Sequence, residues 1–138
     1  MLALVLAFSW RRISVLVAVA LADAAAEGSA DALKAVVGER RPQLHALVPV
    51  PHSASFPSGH TTTSFACATV LSVFAPRAAP GFFLLALAIA FSRVYIGVHW
   101  PLDVVGGVVL GVAVGWAVTA LRRRGAGPRR SARRRRRG

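Results

Sequence analysis

A succession of apolar runs joined by short charged connectors constrains this chain more than anything else in it. Ile13 to Leu33, Thr61 to Phe74, Phe82 to Ile96 and Pro101 to Leu121 read as helices. The first is long enough to span a bilayer at about 1.5 Å per residue. The 138 residues make one domain. With 55% hydrophobic residues and a mean hydropathy of +0.57, the chain is too apolar for an ordinary soluble domain of this length. A formal net charge of +12 fits this once the charge is located. Ten of the seventeen basic residues are arginines within the last seventeen positions: Arg122 to Arg124, Arg129, Arg130 and Arg133 to Arg137. The expected architecture is an all-α integral membrane helix bundle, with about four complete transmembrane helices after an N-terminal stub. Residues 1–121 would form the membrane domain and residues 122–138 a disordered, arginine-rich cytoplasmic tail.

Charged residues within the apolar body are few. Met1 to Phe8 is too short to span, and Arg11-Arg12 follows it at once. A signal peptide would carry its charges before the apolar run, so this segment reads as the end of a spanning helix, the mark of a truncated or misassigned start. In the first full run, Asp23, Glu27 and Asp31 recur every fourth residue and share one helix face. Such a face fits packing at a wet interface; a carboxylate metal site is the sharper alternative, although no histidine accompanies the three. Lys34 precedes Arg41 by seven residues, about two turns, so the two can point to the same side. Pro42 pushes Arg41 out of helical geometry, which ends the helix near Glu39 or Arg40. Gln43 to Phe56, with His45, Pro49, Pro51 and His52, reads as a loop.

Ser58 is a natural N-cap, so Gly59, His60 and Thr61 should open the next helix. Backbone N–H groups at a helix start suit an anion, and Gly59 lets a phosphate approach the main chain. Pro76 to Gly81 is a tight connector. Pro101 pre-sets the first turn of the last helix, where Asp103 can reach back to His99. A carboxylate on one imidazole nitrogen fixes the tautomer and leaves the other nitrogen for chemistry. Arg93 is suited to hold an anion by bidentate bonds. Taken by itself, the stretch from Ser92 to Asp103 fits equally a helix–turn–helix corner with a capping Asp and an interfacial His. Gly106, Gly107, Gly111 and Gly115 form a small-residue stripe for close helix approach. The single cysteine, Cys67, excludes an internal disulfide. No CxxC, HExxH or Cys/His cluster points to a metal, and no cofactor is expected.

Topology supplies an independent reason for distant residues to meet. With Arg11-Arg12, Arg77 and the arginine tail in the cytoplasm, the helices run out, back, out and back without exception. Lys34, Arg41, Ser58, His60, Arg93 and His99 then share the outer face. Three cations and a helix start offer donors for the equatorial oxygens of a five-coordinate phosphorus. A neutral His99 can attack phosphorus in line, and a protonated His60 can give its proton to the leaving oxygen.

Three segments carry a family resemblance. Lys34, six residues and Arg41-Pro42 form the first; Pro57-Ser58-Gly59-His60 the second; Ser92-Arg93, five residues, His99, three residues and Asp103 the third. Together they resemble the signature motifs of the type 2 phosphatidic acid phosphatase (PAP2) superfamily, shared with vanadium haloperoxidases, over roughly residues 10 to 121. The resemblance implies a metal-independent phosphatase acting through a phosphohistidine on His99. It implies that Asp103 orients His99, that His60 is the acid–base, and that Lys34, Arg41, Ser58, Gly59 and Arg93 bind phosphate. Membrane members usually have six spanning helices, against four and a stub expected here.

The expected activity is hydrolysis of a lipid phosphate monoester or diphosphate at the extracytoplasmic face of the cell membrane. Phosphatidic acid, phosphatidylglycerol phosphate and polyprenyl diphosphates all qualify, since no residue here reads the tail or head group. The rival readings are a vanadate-dependent haloperoxidase, transfer of the phosphoryl group to another alcohol, and an inactive truncated membrane protein whose tail binds anionic lipid. Beside a cytoplasmic helix end, the arginine tail suits anionic lipid better than nucleic acid, and its plainest role is to enforce topology. The sequence sets no oligomeric state.

Overall fold

In the computed structural model, residues 2–42 and 46–125 are described, with side chains over 12–42 and 46–124. The arginines of the tail beyond Gly125, and His45 in the loop, lie outside these residues. Four α-helices follow in order: α1 (Leu2–Val37), α2 (Gly59–Phe74), α3 (Ala79–Tyr95) and α4 (Pro101–Gly125), with a 3₁₀ turn at Pro76–Ala78 before α3.

Four boundaries differ from expectation. The N-terminal stub and the first apolar run are one continuous helix of 36 residues, because nothing between Phe8 and Ile13 breaks a helix. The C-terminal end of α1 comes at Val37, ahead of Glu39. Gly38 adopts φ +63°, and its N–H donates to the Lys34 carbonyl at 3.0 Å, a left-handed closure that needs no side chain. Helix α3 begins at Ala79, with Pro80 in a first turn that has no use for its missing N–H. Helix α4 continues past Leu121 through Arg122, Arg123 and Arg124.

Among the described residues, three helices are long and apolar enough to cross a membrane: Arg12–Val37 within α1, Pro76–Tyr95 and Pro101–Arg124. The expected count of four spanning helices is not confirmed: α2 has 16 residues, about 24 Å of helix against a hydrocarbon core of about 30 Å. This short helix is the centre of the bundle and packs against α1, α3 and α4. On its flanks Thr61, Thr62, Phe65, Ala66, Ala68 and Val70 are all buried.

Small residues make this packing close. On α1, Ala18, Ala22, Ala26 and Ala30 recur at every fourth position and are completely buried. The first three form a cluster with Ala66 and Val70 of α2, with Val114 and Val118 of α4 packed against it. On α4, the glycine stripe lies directly on α2: a Cβ at Gly107 would stand 2.9 Å from the Ser58 carbonyl oxygen, and one at Gly115 2.7 Å from that of Ala66. Phe65, Ala68, Ala86 and Ala90 form a second cluster between α2 and α3. Asp23, Glu27 and Asp31 each follow one of the stripe alanines, so their side chains emerge about 100° away and are exposed.

The two ends of the bundle differ. At one, Arg122 of α4 donates to the Ser14 carbonyl at 2.8 Å and lies 5.2 Å over the Phe74 ring, joining α1, α2 and α4. At the other, the end of α1 and the starts of α2 and α4 meet, and every signature residue lies there.

The glycine stripe is testable. A Cβ at Gly111 would collide with the Thr62 carbonyl oxygen and stand 3.0 Å from the Phe65 Cβ, whereas one at Gly28 meets nothing within 4 Å. Gly111→Ala should therefore destabilise the protein by about 1–3 kcal/mol through overpacking. Gly28→Ala should be neutral or stabilising by up to about 1 kcal/mol, from helix propensity. Thermal midpoints of the two variants in detergent, followed by circular dichroism, check the contrast.

Candidate active site

The corner between α3 and α4 sets His99. Gly97 turns the chain at φ +74°, and the Val98 N–H returns to the Arg93 carbonyl at 3.3 Å. Pro101 then opens α4, which puts Asp103 in the third helical position. Its Oδ2 accepts the Trp100 N–H at 2.8 Å, the backward bond of a capping box. The same oxygen lies 3.2 Å from His99 Nδ1. One carboxylate oxygen thus faces both the helix start and the imidazole. Asp103 is completely buried and His99 only 5% exposed.

The other ring nitrogen decides the tautomer. His99 Nε2 lies 3.1 Å from Arg41 Nη1. A guanidinium has only donors, so Nε2 accepts and the ring proton sits on Nδ1, facing Asp103. Burial pushes the His99 pKa below its ordinary value, the Arg41 charge adds to this, and the Asp103 bond and charge oppose it. Burial and Arg41 thus favour the neutral imidazole, with its lone pair on Nε2.

Arg41 itself is held by a short stretch of loop. Its Nε donates to the Ser53 carbonyl at 2.8 Å, and Nη2 to the Ser53 hydroxyl at 3.1 Å and the Ala54 carbonyl at 3.3 Å. Nη1 donates to the Val98 carbonyl at 3.0 Å as well as to His99. Every N–H group of the side chain is thus engaged.

The remaining signature residues surround this pair. Lys34, in the last turn of α1, pairs with Asp31 at 2.8 Å, and a Cβ at Gly59 would stand 3.4 Å from its Nζ. Lys34, Gly59 and His60 line one cavity of about 290 Å³ together with Asp23, Glu27, Asp31 and Thr63. The acidic face of α1 therefore borders the site. Those carboxylates do not converge on a metal: among the described residues, no group of three His, Cys, Asp or Glu side chains is arranged to hold one. The exposed ring of His60 lies in the fields of Arg93, Lys34 and Arg41. Arg93 directs Nε and Nη2 at the hydroxyl of its neighbour Ser92, at 3.1 and 3.0 Å.

Ser58 differs from expectation in detail. It stands at the N-cap position, but its hydroxyl makes no cap bond and accepts from the Thr61 hydroxyl at 3.0 Å instead. Its backbone N–H donates to the Asp103 carbonyl at 3.0 Å, which ties the start of α2 to the start of α4. The first bond within α2 runs from the Thr62 N–H to the Ser58 carbonyl, so the N–H groups of Gly59, His60 and Thr61 precede the helical ladder.

Sequence reasoning missed Ser53 and Ser55. The Ser55 side chain is completely buried, donates to Asp103 Oδ2, and stands 3.5 Å from His99 Nδ1. Both serines sit in an aperiodic loop rich in small polar residues. Neither residue type nor spacing separates them there from ordinary turn-forming serines; only the contacts do.

Comparison with known proteins agrees with this geometry. The profile of the PAP2 superfamily matches residues 11–125. An undecaprenyl-diphosphatase of Sulfolobus acidocaldarius is 37% identical over 87 residues, 56% of this chain and 41% of the relative. The transmembrane PAP2 type phosphatidylglycerolphosphate phosphatase from Bacillus subtilis superposes with a TM-score of 0.67 at 28% identity, covering 81% of this chain and 60% of that one. LpxE from Aquifex aeolicus superposes with a TM-score of 0.70 at 31% identity, covering 86% and 74%. The chain spans from 30% to about half (51%) of the length of the curated relatives it matches. With the profile match extending over most of the chain, and the three signature segments meeting at one end of an all-helical bundle, this protein belongs to the PAP2 superfamily.

Proposed function

We propose that this chain carries the phosphoryl-transfer machinery of a membrane phosphatase that hydrolyses a lipid phosphate monoester or diphosphate through a phosphohistidine on His99. The observation that carries the reading is the pairing of the imidazole, with Nδ1 on Asp103 at 3.2 Å and Nε2 against the donor-only Arg41 at 3.1 Å. A buried, neutral histidine with a fixed tautomer is a nucleophile waiting for an electrophile.

In the proposed reaction, a phosphate oxygen replaces Nε2 as the acceptor of Arg41 Nη1, which releases the Nε2 lone pair. Lys34 exchanges Asp31, and Arg93 exchanges Ser92, for the remaining oxygens, and the first N–H groups of α2 complete the cradle. Nε2 attacks phosphorus while the bond to the lipid oxygen breaks. Asp103 stabilises the positive charge that develops on the ring. His60 protonates the departing oxygen; a dianion among the three cations offsets the repulsion they exert on an imidazolium. Water then attacks the phosphohistidine, giving its proton back to His60 and releasing phosphate and neutral His99.

A lipid substrate is supported by the three helices of spanning length and by the names of the relatives, an undecaprenyl-diphosphatase and a phosphatidylglycerolphosphate phosphatase among them. The basic residues Arg12, Arg77 and Arg122 to Arg124 belong to the end of the bundle away from the site. By the positive-inside rule that end is cytoplasmic and the site faces outward in the cell membrane. The arginine tail would then lie along anionic lipid of the inner leaflet, worth about 1 kcal/mol per residue near the surface.

Phosphate release from a panel of lipid phosphates by the membrane-inserted protein tests the proposal. His99→Ala should lower turnover by more than about 10³-fold without loss of insertion, and activity that survives it would remove the mechanism. Acid-labile, base-stable phosphate should be trapped on the wild-type chain and not on the variant.

The pH dependence has a defined sign. His99 must be neutral and His60 protonated, so kcat/KM should be bell-shaped. It falls at low pH through a His99 midpoint below the ordinary histidine value of 6.5. At high pH it falls with loss of the His60 proton, which burial and the charges of Arg93, Lys34 and Arg41 make easier in the free enzyme. Arg41→Gln removes a cation and should move the His99 midpoint up. Asp103→Asn removes the group that favours the protonated ring; it should move the midpoint down and lower kcat by about 10²- to 10⁴-fold through the wrong tautomer. Steady-state pH profiles of the three proteins check both directions.

A further inference from the structure

We infer that Ser55 is a positioning residue for His99: its hydroxyl shares Oδ2 of Asp103 with the Nδ1–H of the imidazole and holds the carboxylate in register with the ring. The role of Ser55 rests on the proposed reading of His99 as the nucleophile, but the contact that carries it is independent of any activity.

Asp103 offers two oxygens, and the structure uses them unequally. Oδ2 receives the Trp100 N–H at 2.8 Å, His99 Nδ1 at 3.2 Å and the Ser55 hydroxyl, whereas Oδ1 is buried with no hydrogen-bond partner among the described residues. A carboxylate held at one oxygen can swing about its Cβ–Cγ bond. Trp100 belongs to the same helix start and moves with Asp103, and His99 is the group to be oriented. Ser55 is the donor that comes from outside this corner, and so it can fix the plane of the carboxylate relative to the ring.

The loop that carries Ser55 is itself anchored. Its backbone N–H donates to the Glu39 carbonyl at 2.7 Å, two residues before Arg41. Ser53 and Ala54, immediately before it, accept three bonds from Arg41. One three-residue segment therefore holds the partners of both imidazole nitrogens, Arg41 on Nε2 and Asp103 on Nδ1. Complete burial makes the Ser55 hydroxyl costly unless it is bonded, which suits a fixed role better than a mobile one.

Without the Ser55 hydroxyl the carboxylate can turn away from Nδ1 and stabilises the protonated imidazole less, so the ring should become less basic. A role confined to packing would lower stability and leave the ring untouched.

The experiment is a titration of the full-length protein in detergent with ¹⁵N-labelled histidine, following the ring nitrogens of His99, with its signal assigned by loss in His99→Gln. In Ser55→Ala the His99 midpoint should fall by about 0.5 pH unit relative to wild type. Ser55→Cys has nearly the same size and only a weak S–H donor, so its midpoint should fall likewise even where the alanine variant fails to fold. The acid limb of kcat/KM should move down in parallel. A His99 midpoint that is unchanged or raised in the folded variants overturns the inference. Wild-type protein that releases no phosphate from any lipid phosphate, with the midpoint shift present, overturns the phosphatase reading and leaves Ser55 in place.

Discussion

A guanidinium set against one nitrogen of an imidazole is the interaction on which the rest of this site depends. Arg41 brings only donors, so Nε2 of His99 must keep its lone pair, and the ring proton must sit on Nδ1 beside Asp103. Neither partner alone would do this. A carboxylate by itself raises the basicity of an imidazole and favours the charged ring, which has no lone pair to offer. Burial and the Arg41 charge outweigh that effect here, which favours the neutral ring beside Asp103. In the proposed reaction, the same contact protects the nucleophile until an anion arrives that accepts hydrogen bonds from Arg41 better than a neutral nitrogen does.

Bringing these groups together is a matter of small side chains. Arg41 follows α1, His99 precedes α4, and Gly59 opens α2; the three must converge at one end of the bundle. The buried alanines of α1 and the glycines of α4 let both helices lie almost backbone-to-backbone on α2. A short central helix then sets the depth of the site, because it starts level with Lys34 and Asp103. The bond from the Ser58 N–H to the Asp103 carbonyl closes this arrangement through the main chain, independent of side-chain type.

Much of this is legible in the sequence, and the reasons are specific. The apolar runs, the helix start at Gly59, the glycine stripe and the His99–Asp103 spacing all depend on local patterns of three or four residues, and each appears in the fold. The end of α1 falls before the expected Glu39 because a glycine able to take positive φ closes a helix before a later proline has to. The expected fourth spanning helix, α2, is shorter than a bilayer core, because an apolar run says nothing about being central and short. Ser53 and Ser55 are invisible for a different reason. Their partners lie 12 and 48 residues away in the chain, and no periodicity encodes a contact made by an irregular loop. The spacing of Asp23, Glu27 and Asp31 predicts a shared wet face on α1. Its border with Lys34 and His60, in contrast, depends on how α1 rotates about its alanine stripe.

The site also shows how three cations can stand together. Each is given a local acceptor: Lys34 the Asp31 carboxylate, Arg93 the Ser92 hydroxyl, Arg41 the loop carbonyls and His99. These acceptors are graded. Asp31 is exposed and its pair with Lys34 is worth at most about 1 kcal/mol, as for other surface ion pairs. A neighbouring hydroxyl and a neutral imidazole are weaker acceptors still than a phosphate dianion. Arg41, in contrast, keeps its bonds to Ser53, Ala54 and Val98 whether or not Nη1 exchanges His99 for an anion. In the proposed reaction, Lys34 and Arg93 therefore move to the substrate, while Arg41 stays where it is and hands over a single hydrogen bond. That asymmetry places the phosphorus relative to Nε2, since the one cation that does not move is the one that touches the nucleophile.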